Sequence, residues 1–151
     1  MKTKLFTLML VFSMVITGVI SFSSVAKAGN IMDTQYEFNN TGTTGQSEWR
    51  DKNDDTYVYI KPTEGPTIYY TVYGKSNNKG PQKCSSRVSI PVGTQASVVN
   101  LVKERGYTQA QLKFDRITYA MAYTRGVWSP DSVGVFTVYP YTDPYKDINK
   151  E

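Results

Sequence analysis

Histidine is absent from the 151 residues, and cysteine occurs once, at Cys84. Without an imidazole there is no Ser–His–Asp or Cys–His pair to activate a nucleophile. The usual acid–base group near neutrality is missing too, and with it most zinc and copper sites. One cysteine cannot close an intramolecular disulfide, so Cys84 is a buried or inert thiol, a free thiol, or a link to another chain. The first is expected, because a lone Cys behaves as a small apolar residue.

Long apolar runs are equally scarce. The one present, residues 5–20, follows Lys2 and Lys4 and leads through a polar stretch to Ala26-Lys27-Ala28. It is shorter than the roughly 20 residues a membrane-spanning helix needs. A positive start, an apolar middle and small residues at the two positions read by a signal peptidase make 1–28 a secretory leader, with the mature chain beginning at Gly29. No Cys follows the leader to take a lipid, and the C-terminus is polar, without a wall-sorting pattern. The product is expected to be secreted, free in the medium or held non-covalently at the cell surface.

Excess positive charge disappears with the leader. The chain carries 17 basic and 13 acidic residues, and Lys2, Lys4 and Lys27 are three of the basic ones, so 14 − 13 leaves +1. The hint of a nucleic-acid partner in a +4 chain therefore fails. What remains is polarised along the sequence: residues 29–74 sum to −4, 75–125 to +7 and 126–151 to −2. Such a pattern either offers a basic surface to an anionic partner or lets the two halves meet on the folded surface.

Chemistry without His would fall to carboxylate pairs, as in glycosidases. Glu48, Asp51, Asp54, Asp55, Asp115 and Asp131 are available, but nothing in their spacing joins any two, and no enzyme is expected. The string Asp51-Lys52-Asn53-Asp54-Asp55 looks like the start of a calcium loop. Thr56 replaces its turn glycine and Pro62 its bidentate glutamate, so a polar turn before a strand is the reading preferred. No metal or cofactor is implied.

The remainder, about 123 residues, is the length of one domain. Alternation predicts strands over 34–39, 56–61, 67–73, 117–124 and 133–139, and a weaker one over 84–90. The second and third, joined by a turn over 62–66, are expected to pair as a hairpin with Val58, Ile60, Ile68, Tyr70 and Val72 facing the core. Residues 40–55 and 74–82 read as loops, and 126–131 as a turn. A stretch over 94–106, capped by Thr94 and stopped by Gly106, reads as a helix, with strand as its alternative. Ala110, Leu112 and Phe114 fit either a strand or a short helix. The fold class expected is mainly β: a small antiparallel β-sandwich or barrel of six to seven strands with at most one short helix. Its parts are the leader, a single β domain over 29–139, and a mobile polar tail over 140–151.

Twelve tyrosines set the domain apart. In the expected hairpin Tyr57, Tyr59, Tyr69 and Tyr73 share the face opposite the core, where they either pack across strands or offer a surface for sugar rings or a protein. With Trp128 they form the candidate binding set.

The leader, the aromatic strand Tyr36-Glu37-Phe38, the Gly- and Asn-rich loops and the element Gly126-Val127-Trp128 together resemble a family of short secreted proteins of Gram-positive bacteria without assigned function. The aromatic-rich, Cys-poor build is also distantly similar to bacteriocins of the lactococcin 972 type. Neither resemblance brings a functional residue with it. The expected function is non-catalytic binding at the cell envelope, to an anionic envelope polymer or another protein. A bacteriocin-like antimicrobial is the alternative, and a carboxylate glycosidase the third reading.

Overall fold

A computed structural model of the protein describes residues 29–142. The expected leader and residues 143–151 of the expected tail lie outside them. Eleven strands occur among the described residues: β1 (Thr34–Asn39), β2 (Thr44–Gln46), β3 (Arg50–Asp51), β4 (Val58–Glu64), β5 (Ile68–Ser76), β6 (Lys79–Lys83), β7 (Val88–Ser89), β8 (Ala96–Val98), β9 (Gln109–Arg116), β10 (Tyr123–Ser129) and β11 (Thr137–Tyr139). One sheet runs β1-β10-β4-β8-β11. The second runs β2-β9-β5-β6, with β3 also on β9 and β7 also on β5. The protein is a small all-β sandwich, and among the described residues no helix forms.

Period-two alternation makes each sheet one-sided. Val58, Ile60, Ala96, Val98, Tyr36, Phe38 and Trp128 cover the inner side of the first. Ile68, Tyr70, Val72, Ala110, Leu112 and Phe114 cover that of the second. All are buried, each contributing on the order of 1.5–3 kcal/mol for a large side chain removed from water. The sheets are joined by aromatic contacts. Tyr36 stacks on Phe114 at 5.0 Å between centroids and meets Tyr70 edge-on, and the two buried hydroxyls hydrogen-bond at 2.9 Å. Burial, reinforced by the paired hydroxyl of Tyr70, pushes the Tyr36 phenol far above its ordinary range.

The five expected core residues of β4 and β5 are buried, but the two strands do not form a hairpin. β4 pairs with β10 and β8 in one sheet, and β5 pairs with β9, β6 and β7 in the other. Gly65, at φ 92°, carries the chain from one layer to the other. Alternation sets which side of a strand is apolar but leaves its neighbour open. Pro62 belongs to β4, at a bulge where Gly126 faces Pro62 and Arg125 faces Glu64; an irregular site tolerates the missing N–H.

Residues 94–106 are not a helix. The buried segment Ala96–Val98 takes a place in the first sheet, Ala96 facing Ile60 and Val98 facing Val58 on β4. A single turn follows, in which Tyr107 N–H donates to the Val102 carbonyl and Gly106 N–H to that of Lys103. Gly106, at φ 75°, ends this turn in the manner of a helix C-cap.

The alternating stretch 117–124 is a strand only from Tyr123. Ile117, Tyr119 and Met121 sit in an exposed loop, Met121 at 85 % exposure. Residues 126–131, expected as a turn, lie mostly in β10. Gly126 is needed there for close approach: a Cβ at this position would meet the Tyr36 hydroxyl at 2.5 Å. Residues 79–82 of the expected loop, with Lys83, form β6, an exposed edge strand guarded by two Lys and Pro81. The strands expected over 84–90 and 133–139 shrink to β7 and β11.

Candidate functional site

Register places the side chains of the second sheet's outer face. On β5 the residues opposite in parity to Tyr70 and Val72 are Tyr69, Thr71, Tyr73 and Lys75. Their direct partners on β9 are Asp115, Lys113, Gln111 and Gln109. Beyond β9, Gln46 of β2 faces Lys113 and Thr44 faces Asp115. On the other flank Lys83 of β6 faces Tyr73, and Ser89 of β7 faces Tyr69. Directly opposed residues share a face, so this side of the sandwich carries tyrosines, glutamines, threonines and lysines together.

Cations lie over the rings. Lys113 Nζ is 4.1 Å from the Tyr73 centroid, and the Arg87 guanidinium is 3.9 Å from that of Tyr69. Lys75 Nζ stands 4.5 Å from the ring of Trp49. Each contact contributes roughly 0.5–1 kcal/mol at an exposed site and holds a flexible cation in place. Arg87 also pairs with Asp115 at 3.4 Å, both side chains being partly exposed. Thr44, Gln46, Thr71, Tyr73, Lys113 and Asp115 line a depression of about 500 Å³. Chemically, the face is a row of positioned cations with amide and hydroxyl groups between them. It is suited to phosphate or carboxylate oxygens on a polar chain.

The expected binding set is divided by the fold. Tyr69 and Tyr73 are on this face, half-buried under their cations. Tyr59 points outward from the opposite sheet, 5.1 Å from the Phe136 ring, with its hydroxyl 3.3 Å from Gln95 Oε1; burial raises its pKa. Tyr57 precedes β4 and borders a separate depression with Asp55, Glu104 and Val135. Trp128 is a core residue at 1 % exposure, with the Arg50 guanidinium 5.4 Å from its ring. Of the basic residues in 75–125, Lys75, Lys83, Arg87 and Lys113 are on the face. Arg125 is instead engaged by Glu37 and Glu64 on the first sheet. Trp49, Gln46 and Gln109 were missed, although the parity opposite Ala110, Leu112 and Phe114 points to the β9 partners.

The carboxylates take separate partners. Asp51 accepts Gln109 Nε2, Asp54 Oδ1 accepts the Thr56 N–H, and Asp115 pairs with Arg87. The 51–55 string forms a polar turn. Asp131 is wholly buried, with Lys52 Nζ 2.9 Å from Oδ1. Lys52 also donates to the carbonyls of Thr56 and Pro130, each at 2.7 Å. Burial alone would raise the Asp131 pKa; the N–H groups of Asn30 and Asn53 and the Lys52 ammonium outweigh it and hold it low. Burial pushes Lys52 down against the opposing pull of Asp131. Cys84 is buried among the core residues, and burial pushes its thiol pKa up.

The fold and face define a two-sheet β-sandwich protein with a cationic outer surface. The chain belongs to a family of proteins of unknown function, DUF2712, whose model matches residues 22–132. No curated protein and no solved structure matches it, so the similarity to bacteriocins expected from composition finds no support.

Proposed function

We propose that the protein is secreted and binds a phosphate- or carboxylate-bearing polymer of the cell envelope through the outer face of the β2-β9-β5-β6 sheet, without catalysis. The supporting observation is the alignment of Lys113, Arg87 and Lys75 over Tyr73, Tyr69 and Trp49 on one side of the molecule. One exposed ion pair contributes only about 0.2–1 kcal/mol. Useful affinity therefore needs several contacts along one chain, which a repeating anionic polymer supplies. Exposed charges are screened over about 8 Å at physiological ionic strength, so added salt weakens binding. Purified walls, a soluble polyphosphate and a soluble polyuronate, each tested at low and high salt, distinguish phosphate from carboxylate. Retention at low salt that is lost in Lys75→Glu/Lys113→Glu supports the reading; no retention by native protein at low salt ends it.

A second reading, an antimicrobial acting on other cells, draws on the loop after β9. There Ile117, Tyr119 and Met121 are 43 %, 62 % and 85 % exposed. Growth inhibition of neighbouring strains that is abolished by Met121→Asp supports it, and absence of inhibition removes it.

A further inference from the structure

We propose that proteolysis before Gly29 creates a binding site as well as a free end: the new ammonium group of Gly29 is received by the carboxylate of Asp54. In the cut, water adds across the Ala28–Gly29 peptide bond under a signal peptidase of the exporting cell. Its oxygen goes to the Ala28 carbonyl carbon, which leaves as carboxylate, and Gly29 nitrogen becomes ammonium. This rests on the leader reading, and not on the polymer-binding face.

The second residue after the cut, Asn30, is firmly held. Asn30 N–H donates to Asp131 Oδ2 at 2.5 Å, and Asn30 carbonyl accepts the Asp131 N–H at 3.3 Å. Its side-chain amide donates to the Asp51 carbonyl at 2.8 Å and accepts from the Arg50 guanidinium at 3.0 Å. Gly29, one residue back, is thereby placed against Asp54. A Cβ at Gly29 would stand 2.5 Å from Asp54 Oδ2 and 3.3 Å from Asp131 Cβ. Nitrogen and Cβ of any residue share one Cα and lie about 2.5 Å apart. The Gly29 nitrogen is therefore within about 5 Å of that oxygen before any rotation.

Asp54 is ready for a cation. Its Oδ1 accepts the Thr56 N–H at 3.0 Å and the Thr56 hydroxyl, which itself accepts the Ser132 N–H at 2.9 Å. Those bonds fix the carboxylate. Among the described residues Oδ2 takes no hydrogen bond. The other charged groups around Asn30 have their own partners: Lys52 with Asp131, Arg50 with the Met32 and Trp128 carbonyls, and Asp51 with Gln109. Glu104 acts on Lys52 from the turn after β8. Asp33, just before β1, acts on Arg50 and Tyr59. Asp54, whose Oδ2 is the atom nearest a Cβ at Gly29, is the carboxylate placed for the ammonium. A side chain at position 29 would press on Asp54 Oδ2 and oblige that carboxylate to shift.

The sign of the coupling is fixed. An ammonium beside a carboxylate has its pKa raised. The stabilisation is present below the ordinary amine value of about 7.7–8.0 and is lost as pH rises through the raised one. The full chain, leader included, is expressed in an exporting bacterial host and recovered from the medium. Its N-terminus is sequenced, and the Gly29 amine is titrated by NMR after ¹³C labelling. The expected result is a chain starting at Gly29 whose amine titrates about half a unit or more above the ordinary value. That is roughly a threefold gain in proton affinity. Asp54→Asn keeps the turn to Thr56 and returns the amine to the ordinary value. An Ala inserted before Gly29 moves the amine away and does the same in a folded protein. A recovered chain starting elsewhere, or an amine that titrates alike in native and Asp54→Asn proteins, overturns the proposal. Polymer binding plays no part in either readout.

Discussion

Asp131→Asn removes one charge from a pair whose two side chains have no exposed surface. The amide fits the space but not the bonding. Asp131 uses Oδ1 to accept from Lys52 and Oδ2 to accept from the N–H groups of Asn30 and Asn53. Whichever way the amide turns, its NH₂ faces one of those donors. Lys52 is left buried with two carbonyls and no carboxylate in contact. Breaking a buried pair on one side costs about 3–5 kcal/mol, a large part of the roughly 5–15 kcal/mol that stabilises a domain. For a chain of this size the loss lowers Tm by roughly 10–20 °C. Urea denaturation and thermal melts of native protein, Asp131→Asn, Lys52→Met and the double variant make up the assay. The double variant should lose less than the two single losses combined, because neither charge is then left alone. Losses below about 1 kcal/mol, or single losses that simply add, would refute the reasoning.

Acid should destabilise the native protein as pH falls below about 4, where the unfolded chain's Asp131 binds a proton that the folded one resists; the sign follows from its lowered folded pKa. Urea midpoints measured from pH 6 to pH 2 show that slope, and Asp131→Asn flattens it. Tyr36→Phe strands the buried Tyr70 hydroxyl 2.9 Å from its lost partner and costs about 1–3 kcal/mol. The double change to Phe recovers much of it, and melts compare the three. Gly126→Ala drives a methyl against the Tyr36 hydroxyl and costs about 1–3 kcal/mol by overpacking, read as a lower urea midpoint with an unchanged slope.

Strand identity was legible in β1, β4 and β5, where alternation met a buried inner face, but not in β8 and β10, which read as helix and turn. Tyr36 and Phe38 mark β1 over its observed bounds, and Val58, Ile60, Ile68, Tyr70 and Val72 are core residues as their parity implies. Strand partners were not legible. β4 and β5 are separated by three residues yet lie in different layers, so four tyrosines expected on one face are divided between two sides of the sandwich. Alternation also misled where no partner strand exists: Ile117, Tyr119 and Met121 keep the period of a strand but stand in solvent. β6 left no apolar signal because every residue in it is exposed. Lys52 resembled a turn residue in an acidic string, and its counter-charge lies 79 positions away. The element Gly126-Val127-Trp128 drew attention as a motif; Gly126 makes room for Tyr36 and Trp128 fills the core. Both serve packing.

The binding face is tested most directly by backbone and side-chain NMR of the labelled protein titrated with a soluble polyphosphate and, separately, a soluble polyuronate. The expected result is a set of shifts confined to one side: Tyr69, Thr71, Tyr73 and Lys75 on β5, Gln109, Lys113 and Asp115 on β9, with Trp49 and Arg87. These shifts should weaken with salt and vanish in Lys75→Glu/Lys113→Glu. Shifts centred on Tyr59 and Phe136 or on the loop around Met121, or none with either polymer at low salt, would contradict the account.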